Sequence, residues 1–159
     1  MPTVKPIPDG YSSITPYLIV DGAAKAIEFY KAVFGAKERM RLGGPDGKVG
    51  HAELEIGGSV VMLADEHPAM GALAPPTVGG TPVGLHVYLE DVDAVAVRAI
   101  AAGATLKRPV ENQFYGDRLG TIVDPFGHVW HISTHIEDVS PDEINRRAAA
   151  MGHGGGQGA

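Results

Sequence analysis

The chain repeats one order of predicted elements, and this repeat limits its fold more than any other feature of the sequence. Residues 17–21 (Tyr-Leu-Ile-Val-Asp) are answered by residues 87–91 (Val-Tyr-Leu-Glu-Asp), and Gly-Ala at 35–36 by Gly-Ala at 103–104. Each copy predicts a strand, then an amphipathic helix, then three strands. Two βαβββ modules fit this order better than one continuous sheet.

Both predicted helices have recognisable ends. Apolar residues recur at helical spacing between Ala23 and Phe34, where Asp21 is expected to cap the start and Gly35 to end the helix in a left-handed conformation. In the second copy Asp91 is the expected cap and Gly103 the stop. The strands are predicted at 14–20, 37–42, 49–56 and 59–64, and again at 83–89, 105–110, 119–123 and 129–134.

The remaining segments complete the predicted organisation. Prolines and glycines without periodicity mark residues 66–82 as a connector, and Ser140 with Glu143 predicts a capping box at the start of a last helix. We therefore expect an irregular lead-in (1–10), a first module (11–65), the connector (66–82), a second module (83–138), a C-terminal helix (139–151) and a disordered tail (152–159).

Composition excludes several classes of function. The formal net charge is −6, from 19 acidic and 13 basic residues, and the basic residues are scattered, which argues against nucleic-acid binding. No apolar run approaches the roughly 20 residues that span a bilayer, and the N-terminus lacks the pattern of a signal peptide. We expect a cytoplasmic protein without a membrane partner. The chain has no cysteine, so histidines and carboxylates are the candidate metal ligands.

Several short motifs, taken in order, resemble the vicinal oxygen chelate superfamily, the glyoxalase, bleomycin-resistance and dioxygenase group. They are the helix at 23–30 with Phe-Gly-Ala at 34–36, the helix start at 90–94, and Asp-Pro-Phe-Gly at 124–127. Residues 113–130 resemble the PhnB-like branch in particular. The resemblance implies an α+β fold of paired βαβββ modules forming a cupped mixed sheet with helices on its outer face. It also implies a cavity that often holds a divalent metal, and a homodimer.

The resemblance also assigns four positions where metal-dependent members carry ligands. Matching the strands places Thr15 and Gly84 at the two first-strand positions, and Met62 and His131 at the two last-strand positions. His131 alone has a side chain that commonly binds metal in such a site. Glyoxalase I activity is therefore not expected for this chain.

Strand alternation offers a rearranged metal site. Because residues two apart share a face of a strand, His51 and Glu53 should lie opposite the helix-facing residues of their strand, while His86 shares a face with Gly84. His51, His86 and His131 are thus candidate ligands of Zn, Ni, Mn or Fe(II), and Glu53 is a candidate catalytic proton carrier. The alternative is that His86 and His131 line a cavity without binding metal.

A second set of side chains suits a flat ligand. The residues Tyr17, Met62 and Tyr88 share the cavity-facing parity, and the stretch before the seventh strand adds an anchor for an anion. Alternatively, the two tyrosines fill a collapsed core. The candidate ligand-binding residues are Tyr17, Met62, Tyr88, Phe114, Tyr115 and Arg118.

Three functions are consistent with these observations. The first is a protein that binds a small molecule in the cavity without the usual metal site, like the resistance proteins of the superfamily. The second is a divalent-metal-dependent lyase, isomerase or dioxygenase with a rearranged His/Glu site. A scaffold with a filled cavity that acts through a dimer surface is a third. The sequence names neither the ligand nor a certain cofactor.

Overall fold

The computed structural model describes residues 3–152 and contains two βαβββ modules, as the repeat predicts. The first module consists of β1 (Tyr17–Val20), α1 (Ala23–Phe34), β2 (Lys37–Gly43), β3 (Val49–Ile56) and β4 (Ser59–Asp65). The second consists of β5 (Gly84–Tyr88), α3 (Val92–Ala101), β6 (Thr105–Asn112), β7 (Asp117–Val123) and β8 (Val129–His135). The short helix α2 (Pro75–Val78) lies between the modules, and α4 (Pro141–Ala150) follows the second.

Each module forms its own mixed four-stranded sheet. The strand orders are β1-β4-β3-β2 and β5-β8-β7-β6, so the two sheets share one topology. In each, the first strand runs parallel to the last, and the other neighbours are antiparallel. The α+β class and the paired modules are confirmed. The two sheets remain separate rather than joining into one closed sheet, and β1 and β5 are end strands.

Alternation along the strands divides each sheet into a helix-facing side and an open side. On β3, Ala52, Leu54 and Ile56 belong to the buried core that includes α1, as the sequence predicts. His51 and Glu53 therefore point to the other side, which we call the open face of the first sheet. By the same alternation, Trp130 and Ile132 are in the core, and His131 lies on the open face of the second sheet.

The two modules share one core and are fastened together by a buried carboxylate. The rings of Tyr30 and Phe34 on α1 pack against Trp130 of the second sheet, with centroid distances of 5.4 and 4.7 Å. Asp124 accepts hydrogen bonds from the Tyr30 hydroxyl at 2.6 Å and from Trp130 Nε1 at 2.9 Å. Trp130 thus packs beneath a helix that belongs to the other module.

The helix ends agree with the sequence except at the start of α1. Gly35 is left-handed with φ 68°, and Asp91 caps α3 by accepting from the backbone N–H of Ala94. The prediction that Asp21 caps α1 is wrong, because the N-cap residue is Gly22 and it makes no side-chain cap. The carboxylate of Asp65 performs this role, since it accepts from the N–H groups of Gly22 and Ala23, each at 2.9 Å.

Asp65 also accepts the N–H of Val49 at 2.7 Å and so ties α1, β3 and β4 together. Burial is the largest influence on its pKa and raises it, but the three backbone hydrogen bonds outweigh burial, so the pKa of Asp65 is lowered. We expect Asp65→Ala to lower the free energy of unfolding by about 1–3 kcal/mol, because it removes three N–H partners and a helix cap. Urea denaturation measures this. An unchanged midpoint would contradict the capping role.

The segments outside the modules differ from the predictions in detail. The connector is not wholly irregular, because a 3₁₀-helix at Pro68–Met70 and α2 lie within it. Strand β1 begins at Tyr17 rather than at residue 14, after Pro16, which has no N–H to donate. The predicted cap of α4 is confirmed, since Ser140 accepts from the N–H of Glu143. Apart from Gly152, the predicted tail lies outside the described residues.

Within residues 3–152, none of the helices has the length and apolar character needed to cross a lipid bilayer.

Candidate functional site

A chain of hydrogen-bonded side chains crosses the open face of the first sheet. The Tyr17 hydroxyl lies 2.8 Å from His51 Nδ1, and His51 Nε2 lies 2.9 Å from Glu53 Oε2. The Tyr11 hydroxyl donates to the other carboxylate oxygen of Glu53. Tyr17, Met62 and Glu53 occupy one row across β1, β4 and β3, so strand pairing brings these side chains together.

The buried Glu53 carboxylate determines how protons are placed in this chain. Hydrogen bonds from His51 and then Tyr11 lower the pKa of Glu53, so it is ionised at neutral pH and can only accept. His51 Nε2 therefore carries the hydrogen, which leaves Nδ1 to accept from Tyr17 when the imidazole is neutral. Burial and then the charge of Glu53 raise the pKa of Tyr17, so its phenol keeps its proton.

The equivalent row of the second sheet carries two imidazoles. His86 pairs in register with His131, and His131 with Thr121. The Thr121 hydroxyl lies 2.9 Å from His131 Nδ1, and the two imidazole centroids are 6.3 Å apart. A Cβ on Gly84 would lie 2.7 Å from His131 Nε2, so the absent side chain of Gly84 makes room for the His131 ring.

Burial, followed by the charges of His86, Arg108 and Lys107, lowers the pKa of His131, so the ring is neutral at pH 7. A neutral imidazole can bind metal, but its surroundings do not fit the family's metal site. Gly84 offers no side chain, and Thr15 and Met62 stand at the other two positions. Among residues 3–152 no three His, Asp or Glu side chains are grouped closely enough to hold an ion.

The four residues of the rearranged metal site fall into two pairs. His51 and Glu53 lie on the first sheet, and His86 and His131 on the second, and the described contacts do not join the pairs. Both nitrogens of His51 are already engaged by Tyr17 and Glu53. Sequence alternation places each side chain on its face of a strand, but it does not tell how the two sheets are oriented.

A second hydrogen-bonded cluster on the second sheet was not anticipated. The Tyr88 hydroxyl donates to Asp117 Oδ2 at 2.8 Å, and His135 Nδ1 lies 2.8 Å from Asp117 Oδ1. His135 Nε2 lies 2.7 Å from Asp138. His135 thereby ties the end of β8 to the loop that follows.

The hydrogen bonds that the His135 ring donates to Asp117 and then to Asp138 raise the pKa of His135. A raised pKa in the folded state stabilises the fold below the unfolded pKa of about 6.5, and this contribution is lost as pH rises through the folded value. The charged and hydroxyl groups around the ring are Asp117, Asp138 and Tyr88. We expect the stability lost in His135→Gln to shrink as pH rises from about 6.5 through the raised folded-state pKa of His135.

Chemical denaturation at several pH values measures this difference, with His67→Gln as the control because His67 is an exposed histidine of the connector. A difference that grows with pH would contradict the role of His135.

Three candidate ligand-binding residues, Phe114, Tyr115 and Arg118, lie outside the two rows of side chains described above. Arg118 points to the helix side of β7, where it forms a two-pronged ion pair with Asp93 of α3 at 2.7 and 2.9 Å. Phe114 and Tyr115 lie in the turn between β6 and β7 and contact each other edge to face, 5.2 Å apart. Burial and then the charge of Asp117 raise the pKa of Tyr115.

A cleft of about 340 Å³ lies between the two modules, outside their shared core, and is lined by residues of both. We call it the inter-module cleft. One side is formed by the entry to β1 and the turn between β3 and β4, and the other by β5 and Trp130. Of the candidate residues, His86 and Tyr88 line it, and Tyr88 is 60% exposed. The lining residues are Ser12, Ile14, Thr15, Pro16, Ile56, Gly57, Gly58, Ser59, Val60, Val61, Leu85, His86, Val87, Tyr88 and Trp130.

Some residues of these sites carry little signal in the sequence. Tyr11 lies outside the regular elements and reaches Glu53 only through the folded lead-in, where Arg39 stacks over its ring at 4.8 Å. Thr121 is recognisable only once strand register is known. The Nε2 of His128 lies 2.9 Å from the carbonyl oxygen of Ile19 in the other module, a contact that no local pattern indicates.

The sequence profile of the Glyoxalase/Bleomycin resistance protein/Dioxygenase superfamily matches residues 11–132. The chain belongs to this superfamily. The resemblance seen in its motifs is thereby confirmed. An uncharacterised protein of Mycobacterium bovis is 45% identical over 145 residues, which cover 89% of this chain and 95% of that relative.

Solved structures of other proteins share the fold. TioX from Micromonospora sp. ML1 has a TM-score of 0.62 and 28% identity, over 79% of this chain and 99% of TioX. A PhnB protein from Bacillus cereus has a TM-score of 0.60 and 20% identity, over 77% of this chain and 99% of that chain. The chain is therefore similar in fold to a PhnB protein.

Proposed function

We propose that this superfamily member binds a flat, largely apolar small molecule in the inter-module cleft. The observation that carries the proposal is the lining of that cleft, in which apolar Ile56, Leu85 and Trp130 are combined with a few polar groups from both modules. Its volume lies within the roughly 300–1,000 Å³ that is typical of small-molecule sites. A ligand held by both modules would fix their relative position.

The polar groups of the cleft suit orientation of a ligand rather than neutralisation of a charge. Thr15, which stands at the family's first ligand position, and Ser59 offer hydroxyls, while His86 and Tyr88 offer ring edges and hydrogen bonds. Arg118, the predicted anchor for an anion, is engaged by Asp93 on the helix side of its sheet. We therefore favour a ligand without a strong negative charge over the anionic ligand suggested by the sequence.

A neutral fluorescent dye, N-phenyl-1-naphthylamine, tests whether the cleft binds an uncharged aromatic molecule. We expect saturable one-to-one binding whose dissociation constant rises at least about tenfold in Thr15→Trp, because the indole would fill the cleft and remove about 1.4 kcal/mol of binding free energy. Val97→Trp, which adds the same ring at an exposed position on α3, should leave binding unchanged. Equal weakening in both variants, or no effect of either, would contradict the proposed site.

The metal-dependent alternative has a separate test. The donor groups around His131 do not complete the family's metal site, so we expect elemental analysis after incubation with Zn, Ni, Mn or Fe(II) to find no stoichiometric ion that depends on His131. One ion per chain that is lost in His131→Ala would favour a metal-dependent enzyme instead. The homodimer implied by the resemblance stays a prediction, which light scattering of the purified protein checks.

A further inference from the structure

We propose that Tyr17, His51 and Glu53 form a proton relay that carries out general acid–base chemistry on a small molecule bound beside Tyr17. The three side chains make an unbroken line of hydrogen bonds, with 2.8 Å between Tyr17 and His51 and 2.9 Å between His51 and Glu53. The order phenol, imidazole, carboxylate is that of an activated hydroxyl group oriented through a histidine. This site is separate from the inter-module cleft.

Neighbouring side chains fix the positions of His51 and Glu53. His51 and Glu53 stand two residues apart on β3 and so share a face, and Glu53 is 5% exposed. Tyr11 donates to the second oxygen of Glu53, so each oxygen of the carboxylate accepts a hydrogen bond. Arg39 lies over the Tyr11 ring and covers it. Glu53 is the positioning residue, because it fixes which nitrogen of His51 bears the hydrogen.

Tyr17 is the group that a bound molecule can reach. Tyr17 is 47% exposed and lines a second cleft of about 230 Å³, which we call the connector cleft. Apolar Leu73, Pro75 and Val78 also line it. This lining suits a compact, uncharged molecule. The remaining residues around the cleft are Ile19, Gly80, Thr81, Pro82 and His128.

The proton balance of the relay is closed within the protein. A carbon acid in the connector cleft gives its proton to the Tyr17 oxygen while the proton of Tyr17 passes to His51 Nδ1, and the electron pair of the broken C–H bond stays on the substrate. The resulting imidazolium faces ionised Glu53, which stabilises it. Return of the proton by the reverse path reprotonates the product at another atom. The reaction class is therefore proton abstraction or isomerisation, which consumes no oxidant or reductant.

The test uses 5-nitrobenzisoxazole, whose C–H bond breaks when a base removes the proton, with cleavage of its N–O bond to a coloured nitrophenolate. We expect the purified chain to accelerate this reaction, and Tyr17→Phe and His51→Gln each to reduce kcat/KM at least about tenfold. His67→Gln is the matched control, because it removes an exposed histidine outside both clefts. Rates within twofold of the unchanged chain for both relay variants, or no acceleration at all, would overturn the proposal.

The tautomer of His51 provides a measurement that needs no catalysis. Long-range ¹H–¹⁵N spectra of the unchanged protein should show His51 with a hydrogen on Nε2 and an unprotonated, hydrogen-bonded Nδ1. Glu53→Gln should weaken this preference, and Glu53→Asp should partly restore it. A hydrogen on Nδ1 in the unchanged protein would overturn the relay even if the chain folds and binds dye in the inter-module cleft.

Discussion

Replacing Asp124 with alanine is expected to lower the free energy of unfolding by about 3–5 kcal/mol. The carboxylate is 3% exposed and accepts from the Tyr30 hydroxyl and Trp130 Nε1, as well as from the N–H groups of Phe126 and His128. The variant leaves buried donors without partners, each at a cost of about 1–3 kcal/mol. It also removes the polar link between α1 and the second sheet.

Chemical denaturation followed by tryptophan fluorescence measures this effect directly, because Trp130 is the only tryptophan and donates to Asp124. Asp124→Asn keeps one carbonyl acceptor and should lose less stability. Asp21→Ala is the control, since Asp21 is an exposed aspartate that caps no helix here. A loss below about 1 kcal/mol in Asp124→Ala would contradict its role in fastening the modules.

Gly116→Ala is the second change for which we expect a large effect, a loss of about 3 kcal/mol or more. Gly116 has φ 100°, a conformation that costs a side-chain-bearing residue about 1–2 kcal/mol. A Cβ built there would lie 2.1 Å from the carbonyl oxygen of Glu137. The chain after β8 would have to move away, although its N–H groups at Ile136 and Glu137 bond to the Gly116 carbonyl.

Gly71→Ala separates the two causes, because Gly71 has a similar φ of 75° but open space where the Cβ would lie. It should lose only the conformational term. Thermal or urea unfolding of both variants gives the comparison. Equal losses would mean that the close approach to Glu137 contributes nothing. The Gly116 variant should also disturb Tyr88 and His135, whose hydrogen bonds meet at the neighbouring Asp117.

Local sequence signals predicted the elements because they depend on neighbours along the chain. The helix from Ala23 to Phe34 was predicted with the bounds that the structure has, since its apolar spacing and Gly35 are local features. The capping role of Asp91 was likewise predictable, because the N–H that it accepts from lies three residues away. At α1 the same reasoning failed, since the capping carboxylate, Asp65, is 43 residues distant from Gly22.

The candidate sites depend on distances that no local pattern contains. Alternation along β3 correctly predicted that His51 and Glu53 share one face. The pairing of His86 with His131 follows from the repeat, because Tyr17 and Met62 are paired at the equivalent positions of the first module. Whether these two pairs meet depends on how the sheets are oriented. Among residues 3–152 the structure groups no three His, Asp or Glu side chains closely enough to hold an ion, and it joins Tyr17 to His51.

By itself, the sequence determined the paired modules, their strand faces and the family, because repeats, periodicity and turn residues are written in chain order. The tertiary structure alone decided which carboxylates bind partners that are distant in the chain. Asp124 accepts a hydrogen bond from Tyr30, 94 residues away, and Asp117 is hydrogen-bonded to His135. Glu53 accepts a hydrogen bond from Tyr11, which precedes β1. The physical reason is that a buried charge must be satisfied by whichever donors packing brings within about 3 Å, and packing depends on the whole chain.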